Sequence, residues 1–185
     1  MTQDSTQAVE IHEYTTEWRT EFLAMGAALR SALSEIAVRI DHIGSTSIAH
    51  LAAKPIIDIQ ISVPSLEPMD AYLRPIESLG YVWRKDNPER TKRYFREPPA
   101  SRRTHIHVRR VGSWHEQYAL LFRDYVREHE DARRRYETVK RELAMRYRYE
   151  RQRYTDAKAP IFWEIMQRAD TWAAQTGWEP GPSDA

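Results

Sequence analysis

The sequence contains no cysteine, which excludes disulfide bridges and thiolate metal sites and favours a reducing compartment. It also lacks an excess of charge of either sign, because 28 Lys and Arg residues face 27 Asp and Glu residues, for a formal charge of +1. Such a balance provides no general attraction to nucleic acid or to anionic membranes. Any site for an anion must therefore be local.

Long apolar runs are absent as well, since no stretch reaches the roughly 18 apolar residues of a membrane-spanning helix. The N-terminus is polar and acidic, unlike a secretory signal peptide. With the missing cysteines, these features predict a cytoplasmic protein with no membrane partner. A chain of 185 residues is long enough for one domain with a proper core.

What the sequence does contain is a polar turn followed by an apolar strand, within residues 40–63. Gly44 permits a tight turn, and Ser45, Thr46 and Ser47 offer hydroxyl and backbone N–H groups at the start of a short helix, a natural seat for phosphate. The β-branched run that follows contains Asp58, and burying an unpartnered carboxylate in a strand is costly. The pattern predicts phosphate at the turn and a metal or another cation at the acid, which suggests nucleotide chemistry.

Hydrophobic periodicity predicts strands and helices in mixed order up to residue 112 and helices alone beyond it. The predicted fold is of the α/β class, α+β type: a mixed β-sheet with helices packed on it and a C-terminal helical bundle. We expect a single domain, with its sheet-containing core over about 9–112 and its helical part over about 113–176. Residues 1–8 and 177–185 are predicted to be flexible tails, because they lack apolar periodicity or contain proline and glycine.

Three of the predicted strands each direct two polar side chains to one face, because side chains alternate along a strand. These pairs are Asp58 with Gln60, Tyr94 with Arg96, and His105 with His107. If the three strands belong to one sheet, the six side chains line a common polar surface. The apolar side chains between them then face the helices.

The turn and the acid together resemble a known superfamily. Ile43-Gly44-Ser45, followed by Asp58-Ile59-Gln60-Ile61, is similar to the motif of nucleotidyltransferase-fold proteins such as polymerase beta and kanamycin nucleotidyltransferase. The segment HIGSTSIAHLAAKPIIDI resembles more closely the GrpB family, small bacterial members of that superfamily that are sometimes fused to dephospho-CoA kinase. Further matches, from about Tyr14 to about Trp172, include Tyr94-Phe95-Arg96, His105-Ile106-His107-Val108, Leu121-Phe122-Arg123-Asp124-Tyr125 and Tyr154-Thr155-Asp156-Ala157-Lys158.

The resemblance implies a nucleotidyltransferase-like fold and a metal-dependent enzyme. Such an enzyme moves a nucleotidyl group from ATP, or another nucleoside triphosphate, to a small-molecule acceptor with the help of Mg²⁺ or Mn²⁺. Asp58 is then a catalytic residue and a metal ligand, with Gly44, Ser45 and Thr46 at the nucleotide. Gln60 stands where the superfamily has a second acid, and a neutral amide binds a cation only weakly.

His105 and His107 lie where the superfamily usually has a third carboxylate. A neutral imidazole can bind a transition metal or act as a general base, and we expect the base role for one of the two.

Other candidate side chains would bind the phosphates and the substrate. Lys54 and Lys158 could bind phosphate as point charges, whereas Arg96 could bind it bidentately. Tyr94 is expected to contact the substrate.

Two other function classes fit the same residues. The protein could be an ATP-dependent ligase that adenylates a carboxylate, or a non-catalytic module that binds a nucleotide or a CoA-related molecule. Nucleic-acid binding through the arginine-rich helices is disfavoured, because a net basic charge and aromatic stacking platforms are missing. The identity of the acceptor and the oligomeric state do not follow from these patterns.

Overall fold

A computed structural model describes residues 8–185 of the protein. The first part of the chain contains α1 (Glu17–Leu33), β1 (Arg39–Ile43), β2 (Ile57–Val63), α2 (Asp70–Ser78), β3 (Val82–Trp83), β4 (Lys92–Arg96) and β5 (Thr104–Arg110). The second part contains α3 (Trp114–Glu128), α4 (Glu130–Arg146), α5 (Arg151–Ala157) and α6 (Ala159–Thr176). A short 3-10 helix, Ser45–Ser47, follows the predicted turn. The predicted fold class is confirmed, and α5 is a helix that periodicity missed.

The five strands form one sheet in the order β1-β2-β5-β4-β3. The central pair, β2 and β5, is parallel, whereas every other pair is antiparallel. Parallel pairing is possible here because α2, β3 and β4 lie between the two strands in the sequence and provide the long connection that it requires. The sheet is therefore mixed, as predicted.

One face of the sheet is apolar and forms the first core. Its isoleucines, including Ile57, Ile59 and Ile106, are fully buried against Trp18 and Phe22 of α1. This burial follows from alternation, because β-branched residues two positions apart point to the same face. The helices α1 and α2 cover this face, which leaves the polar face for the second half of the chain.

A second core joins the C-terminal helices to the loop between β1 and β2. Ile48 and Leu51 of that loop are fully buried among residues of α3, α4 and α6, such as Phe122 and Ile165. The loop thus anchors the helical bundle beside the turn at Gly44. None of the helices between residues 8 and 185 has both the length and the apolar character needed to cross a bilayer.

The C-terminal segment differs from the flexible tail that the sequence predicts. The backbone N–H of Ala185 donates to Ile40 O at 3.1 Å, and the N–H of Ile40 donates to Ser183 Oγ at 2.8 Å. β1 is an edge strand, so its outer backbone groups accept such a partner. Apart from Ala8, the predicted N-terminal tail lies outside the described residues.

Candidate functional site

Asp58 lies near the beginning of β2, opposite Ile43 of β1 and next to the turn at Gly44. Gly44 has φ +70°, and a Cβ atom there would come within 2.5 Å of Asp58 Oδ2. Glycine is therefore required at this position both for the backbone conformation and for the close approach. The turn packs against Oδ2, while the other carboxylate oxygen, Oδ1, faces β5.

Two imidazoles meet Asp58 Oδ1. Strand register places Asp58 opposite His105 and Gln60 opposite His107, so both histidines share its face of the sheet. His105 Nδ1 lies 3.0 Å from Asp58 Oδ1, and His107 Nε2 lies 3.6 Å from the same oxygen. The three side chains are 26%, 16% and 16% exposed, and each offers one ligand atom within 4.8 Å of the others. The predicted meeting of acid and histidines is observed.

The charges of this cluster follow from burial and hydrogen bonding. Burial alone would raise the pKa of Asp58, but its interactions with the neighbouring His105 and His107 outweigh burial and hold the pKa well below its ordinary value. Burial lowers the pKa of His107 to about 4, although Asp58 opposes the shift. At neutral pH the carboxylate is ionised and the His107 ring is neutral. A neutral imidazole is a competent base or metal ligand.

Tyr94 covers the two imidazoles from β4. Its ring centre lies 5.5 Å from that of His105 and 5.3 Å from that of His107. Burial raises the pKa of Tyr94 to about 12, so its phenol stays protonated. Arg96 stands opposite His105, but its guanidinium makes a bidentate ion pair with Glu97 and does not line the cavity beside Asp58.

Gln60 is fully buried under α3. Its Nε2 donates to the backbone carbonyl of Glu116 at 3.2 Å, which orients the amide. Its Oε1 and the Nδ1 atom of His107 are both buried without a hydrogen-bond partner among the described residues. The two side chains stand directly opposite each other on β2 and β5. Gln60 is thus positioned by the helix on one side and faces the histidine strand on the other.

A cavity of about 260 Å³ opens beside Asp58 and His105, and we call it the basic cavity. Its cationic wall consists of Lys54, Lys140, Arg151 and Lys158. Tyr154 lies beside two of these cations, with its ring centre 4.9 Å from Lys54 Nζ and 5.0 Å from Lys158 Nζ. The loop before β2 and the helices α4 and α5 therefore bring the positive charges to the acid end of the sheet.

Burial and neighbouring positive charges lower the pKa values of Lys54 and Lys140. Burial, together with Lys158 and Arg151, lowers the pKa of Lys54 to about 7. Lys140 is only 2% exposed, its Nζ donates to Ala52 O at 2.6 Å, and burial followed by the charge of Lys158 lowers its pKa well below the ordinary value. A bound anion would relieve this repulsion. The wall is thus suited to phosphate groups.

The predicted turn residues have different roles. Thr46 lines the basic cavity, but its hydroxyl donates to Ile56 O at 2.9 Å and lies 3.1 Å from His42 Nε2, so it is used internally. Ser47 Oγ donates to Gly44 O. Ser45 also lines the cavity, and its hydroxyl makes no hydrogen bond to any residue in the described part of the chain. Of the three hydroxyls, that of Ser45 is the one left for a ligand.

Several cavity residues were missed by the sequence predictions: Lys140, Arg151, Tyr154 and Thr155. A signal existed for Lys140, because it lies four residues after Tyr136 and four before Ala144, and all three are buried on one face of α4. Tyr154 and Thr155 belong to the motif shared with the resembling family, although no role followed for them from the sequence.

Comparison with known proteins supports the family resemblance. The family described as GrpB protein matches residues 8–168. A UPF0157 protein of Pseudomonas aeruginosa is 36% identical over 165 residues, which cover 87% of this chain and 67% of that protein. The dephospho-CoA kinase of Mycobacterium tuberculosis is 34% identical over 177 residues, which cover 82% of this chain and 44% of that kinase. This chain therefore corresponds to less than half of the kinase.

A solved structure shows the same architecture. GrpB from Enterococcus faecalis is 32% identical and superposes with a TM-score of 0.76, over 86% of this chain and 98% of that one. The family match spans most of the sequence, and a relative more than 30% identical is covered over two thirds of its length. The chain therefore belongs to the GrpB family.

Proposed function

We propose that the protein binds a nucleoside triphosphate, with ATP the first candidate, and transfers its nucleotidyl group to a small-molecule acceptor. One observation carries the proposal: four cationic side chains converge on the cavity that Asp58 and His105 line. Burial and neighbouring cations lower the pKa values of Lys54 and Lys140, which indicates a site that accepts a polyanion. A triphosphate beside an acid and two imidazoles suits phosphoryl chemistry.

The cavity residues would bind and orient the phosphates. Lys54 and Lys158 both lie against the Tyr154 ring and would contact the phosphate oxygens. The Ser45 hydroxyl would donate to the same group from the turn. Positioning and charge neutralisation are the main requirements of phosphoryl transfer, which needs little covalent participation from the protein.

The transfer step is an in-line displacement. An acceptor oxygen or nitrogen forms a bond to the α-phosphorus, the bond from that phosphorus to its bridging oxygen breaks, and pyrophosphate leaves. The acceptor's proton passes to solvent water or to an imidazole. His105 lines the basic cavity, whereas His107 does not, so any base role falls to His105.

The Mg²⁺ or Mn²⁺ ion expected from the sequence fits the residues present only in part. Mg²⁺ requires oxygen ligands, and the structure offers one carboxylate, with two imidazoles against its Oδ1. The second expected ligand, Gln60, donates its amide to the Glu116 carbonyl. The site is therefore poorly suited to Mg²⁺.

A second candidate is a non-catalytic module for a CoA-related nucleotide. It is favoured by the match to relatives named dephospho-CoA kinase. A molecule such as dephospho-CoA contains a diphosphate that could occupy the basic cavity. This candidate predicts ligand binding without turnover.

The experiment is an acceptor screen with α-labelled ATP, GTP, CTP and UTP against alcohols, amines and carboxylates. We expect label transfer with pyrophosphate release for one acceptor class. Lys158→Met should weaken nucleotide binding about 10- to 100-fold, because a charge-assisted hydrogen bond contributes about 1.5–3 kcal/mol. Lys85→Met is the matched control, since Lys85 is exposed just after β3, at the far edge of the sheet.

The outcomes separate the candidates. Transfer that requires a carboxylate and an amine together identifies a ligase, and binding of dephospho-CoA without any turnover identifies the module. If calorimetry detects no binding of any triphosphate or of dephospho-CoA, or if Lys158→Met binds as tightly as the wild type, both candidates are wrong.

A further inference from the structure

We propose that Asp58, His105 and His107 form a binding site for a divalent first-row transition ion such as Zn²⁺, in preference to Mg²⁺. The proposal concerns the same site as the proposed function, and the chemical role of the ion rests on that function. Binding of the ion itself can be tested without a nucleotide. The proposal gives both histidines the role of metal ligands, whereas the sequence predicted a base role for one of them.

The separations of Asp58 Oδ1 from the two histidine nitrogens match those between ligands of one metal ion. Two ligands at about 2.1 Å from an ion are about 3.4 Å apart at the tetrahedral angle and about 3.0 Å apart at a right angle. Asp58 Oδ1 lies 3.0 Å from His105 Nδ1 and 3.6 Å from His107 Nε2. The strand register imposes this spacing, so the donors are arranged before any ion binds.

The chemistry of the donors selects the class of ion. Two of the three ligand atoms are imidazole nitrogens, which suit Zn²⁺, Cu²⁺, Fe²⁺ or Ni²⁺, whereas Mg²⁺ and Ca²⁺ require oxygen ligands. Two histidines and one carboxylate are also the donor set of known catalytic zinc sites, which keep another position open. Here the open side is the basic cavity, which Asp58 and His105 both line.

The alternative is a hydrogen-bonded cluster without a metal, and the position of Gln60 favours the metal. The amide of Gln60 is oriented by Glu116, and its buried Oε1 and the buried Nδ1 of His107 stand on facing positions of β2 and β5. Gln60 Oε1 is thus the available acceptor for an Nδ1–H of His107. That tautomer turns the Nε2 lone pair toward Asp58 Oδ1, 3.6 Å away, and a metal ion between these two electron-rich atoms would bind both.

The substitution at the second acid position then has a physical explanation. An acid at position 60 would be buried under α3, beside the Glu116 carbonyl that now accepts from the Gln60 amide. A neutral amide avoids the repulsion between a carboxylate and that carbonyl oxygen. It acts as a positioning residue that sets the His107 tautomer. The metal is held by nitrogen donors where the superfamily motif would use a carboxylate.

The test titrates metal-free protein with Co²⁺, Zn²⁺, Mn²⁺ and Mg²⁺ in the absence of nucleotide. We expect visible Co²⁺ absorption typical of nitrogen ligation, and affinities that decrease from Zn²⁺ to Mn²⁺ to Mg²⁺. His105→Ala and His107→Ala should each weaken Zn²⁺ binding by about 100-fold or more. His115→Ala, on α3 away from the cluster, is the matched control and should bind Zn²⁺ as the wild type does.

A second measurement avoids the risk that a variant misfolds. Nitrogen NMR of the imidazoles in the unaltered protein should show Zn²⁺-induced shifts at His105 Nδ1 and His107 Nε2. Mg²⁺ bound as tightly as Zn²⁺, unchanged Co²⁺ spectra in folded His107→Ala, or Zn²⁺ shifts at other histidines alone would each overturn the proposal. These outcomes leave triphosphate binding in the basic cavity untouched, so the two proposals fail separately.

Discussion

Anion binding in the basic cavity should depend on pH, because Lys54 titrates near neutrality. Lys54 has a pKa of about 7 in the free protein, because it is buried and faces Lys158 and Arg151, with Arg103 nearby and Asp58 opposing the shift. A bound anion favours the charged lysine and raises that pKa. Above pH 7, binding must therefore take up a proton, and the observed affinity decreases by up to about tenfold per pH unit until the pKa of the bound form is reached.

This prediction is checked with sulfate, which stays fully ionised from pH 6 to pH 9 and adds no titration of its own. NMR titrations should show constant affinity below pH 7 and decreasing affinity above it. Lys54→Arg is the matched variant, because a guanidinium stays charged throughout and should remove the Lys54 part of the decrease. A pH profile identical in wild type and Lys54→Arg would show that Lys54 does not contact the anion.

The same residue has the opposite effect on folding stability. The unfolded pKa of a lysine is about 10.4, so the unfolded chain binds more protons at Lys54 than the folded chain does between pH 7 and that value. The free energy of unfolding therefore rises with pH in this window as far as Lys54 is concerned. Burying a lysine beside other cations therefore lowers the free energy of unfolding near neutral pH, as is common for functional sites.

Among the helices, α3 connects the polar face of the sheet to the bundle through one buried carboxylate. Glu116 is fully buried, its Oε1 accepts from Ser62 Oγ at 2.8 Å, and its Oε2 accepts from the backbone N–H of Gly112 at 3.1 Å. Its backbone carbonyl accepts from Gln60. Glu116 stands three residues after the N-cap Ser113, the capping-box spacing, yet its carboxylate reaches the sheet.

Glu116→Ala should lower the free energy of unfolding by about 3 kcal/mol, because it leaves the buried Ser62 hydroxyl and the Gly112 N–H without their acceptor and opens a cavity. Urea denaturation measures the change. Glu128→Ala, at the exposed end of the same helix, should change stability by less than about 0.5 kcal/mol. Equal stability of the two variants would show that the carboxylate does not join helix and sheet.

For the molecule as a whole, the C-terminal segment closes the edge of the sheet. Asp184 Oδ2 accepts from the His42 N–H of β1 and from Arg123 of α3, each at 2.9 Å. Arg123 is 3% exposed and also contacts Asp41 and Asp124. The buried guanidinium of Arg123 thus joins the edge strand β1, the helix α3 and the C-terminal segment.

Asp184→Ala should lower the midpoint of thermal unfolding by a few degrees, since losing one charged partner of a buried arginine costs about 1–3 kcal/mol. Hydrogen exchange at the Ile40 and His42 amides should accelerate, because both donate to this segment. Asp170→Asn, on the exposed side of α6, is the control and should leave both readouts unchanged. Unaltered exchange in Asp184→Ala would contradict a docked segment.

Local pattern was enough to predict the sheet, its polar face and the family. The period-two alternation around Asp58 and His107 depends on neighbouring residues alone, as does the tight turn at Gly44. The meeting of the acid with both histidines followed once the strands were taken to share a sheet, and the structure shows it at hydrogen-bond range for His105. This part of the site could therefore be predicted from the geometry of neighbouring residues.

The cationic wall and the role of Gln60 depended on the tertiary structure. Lys140 and Arg151 line a cavity together with Asp58 only because Ile48 and Leu51 anchor the bundle beside the turn, a contact between distant parts of the chain. The docking of residues 183–185 likewise depends on an edge strand and a buried Arg123. Local periodicity describes which face of an element is apolar, but it contains no information on which distant element will cover that face, because long-range packing selects the partner.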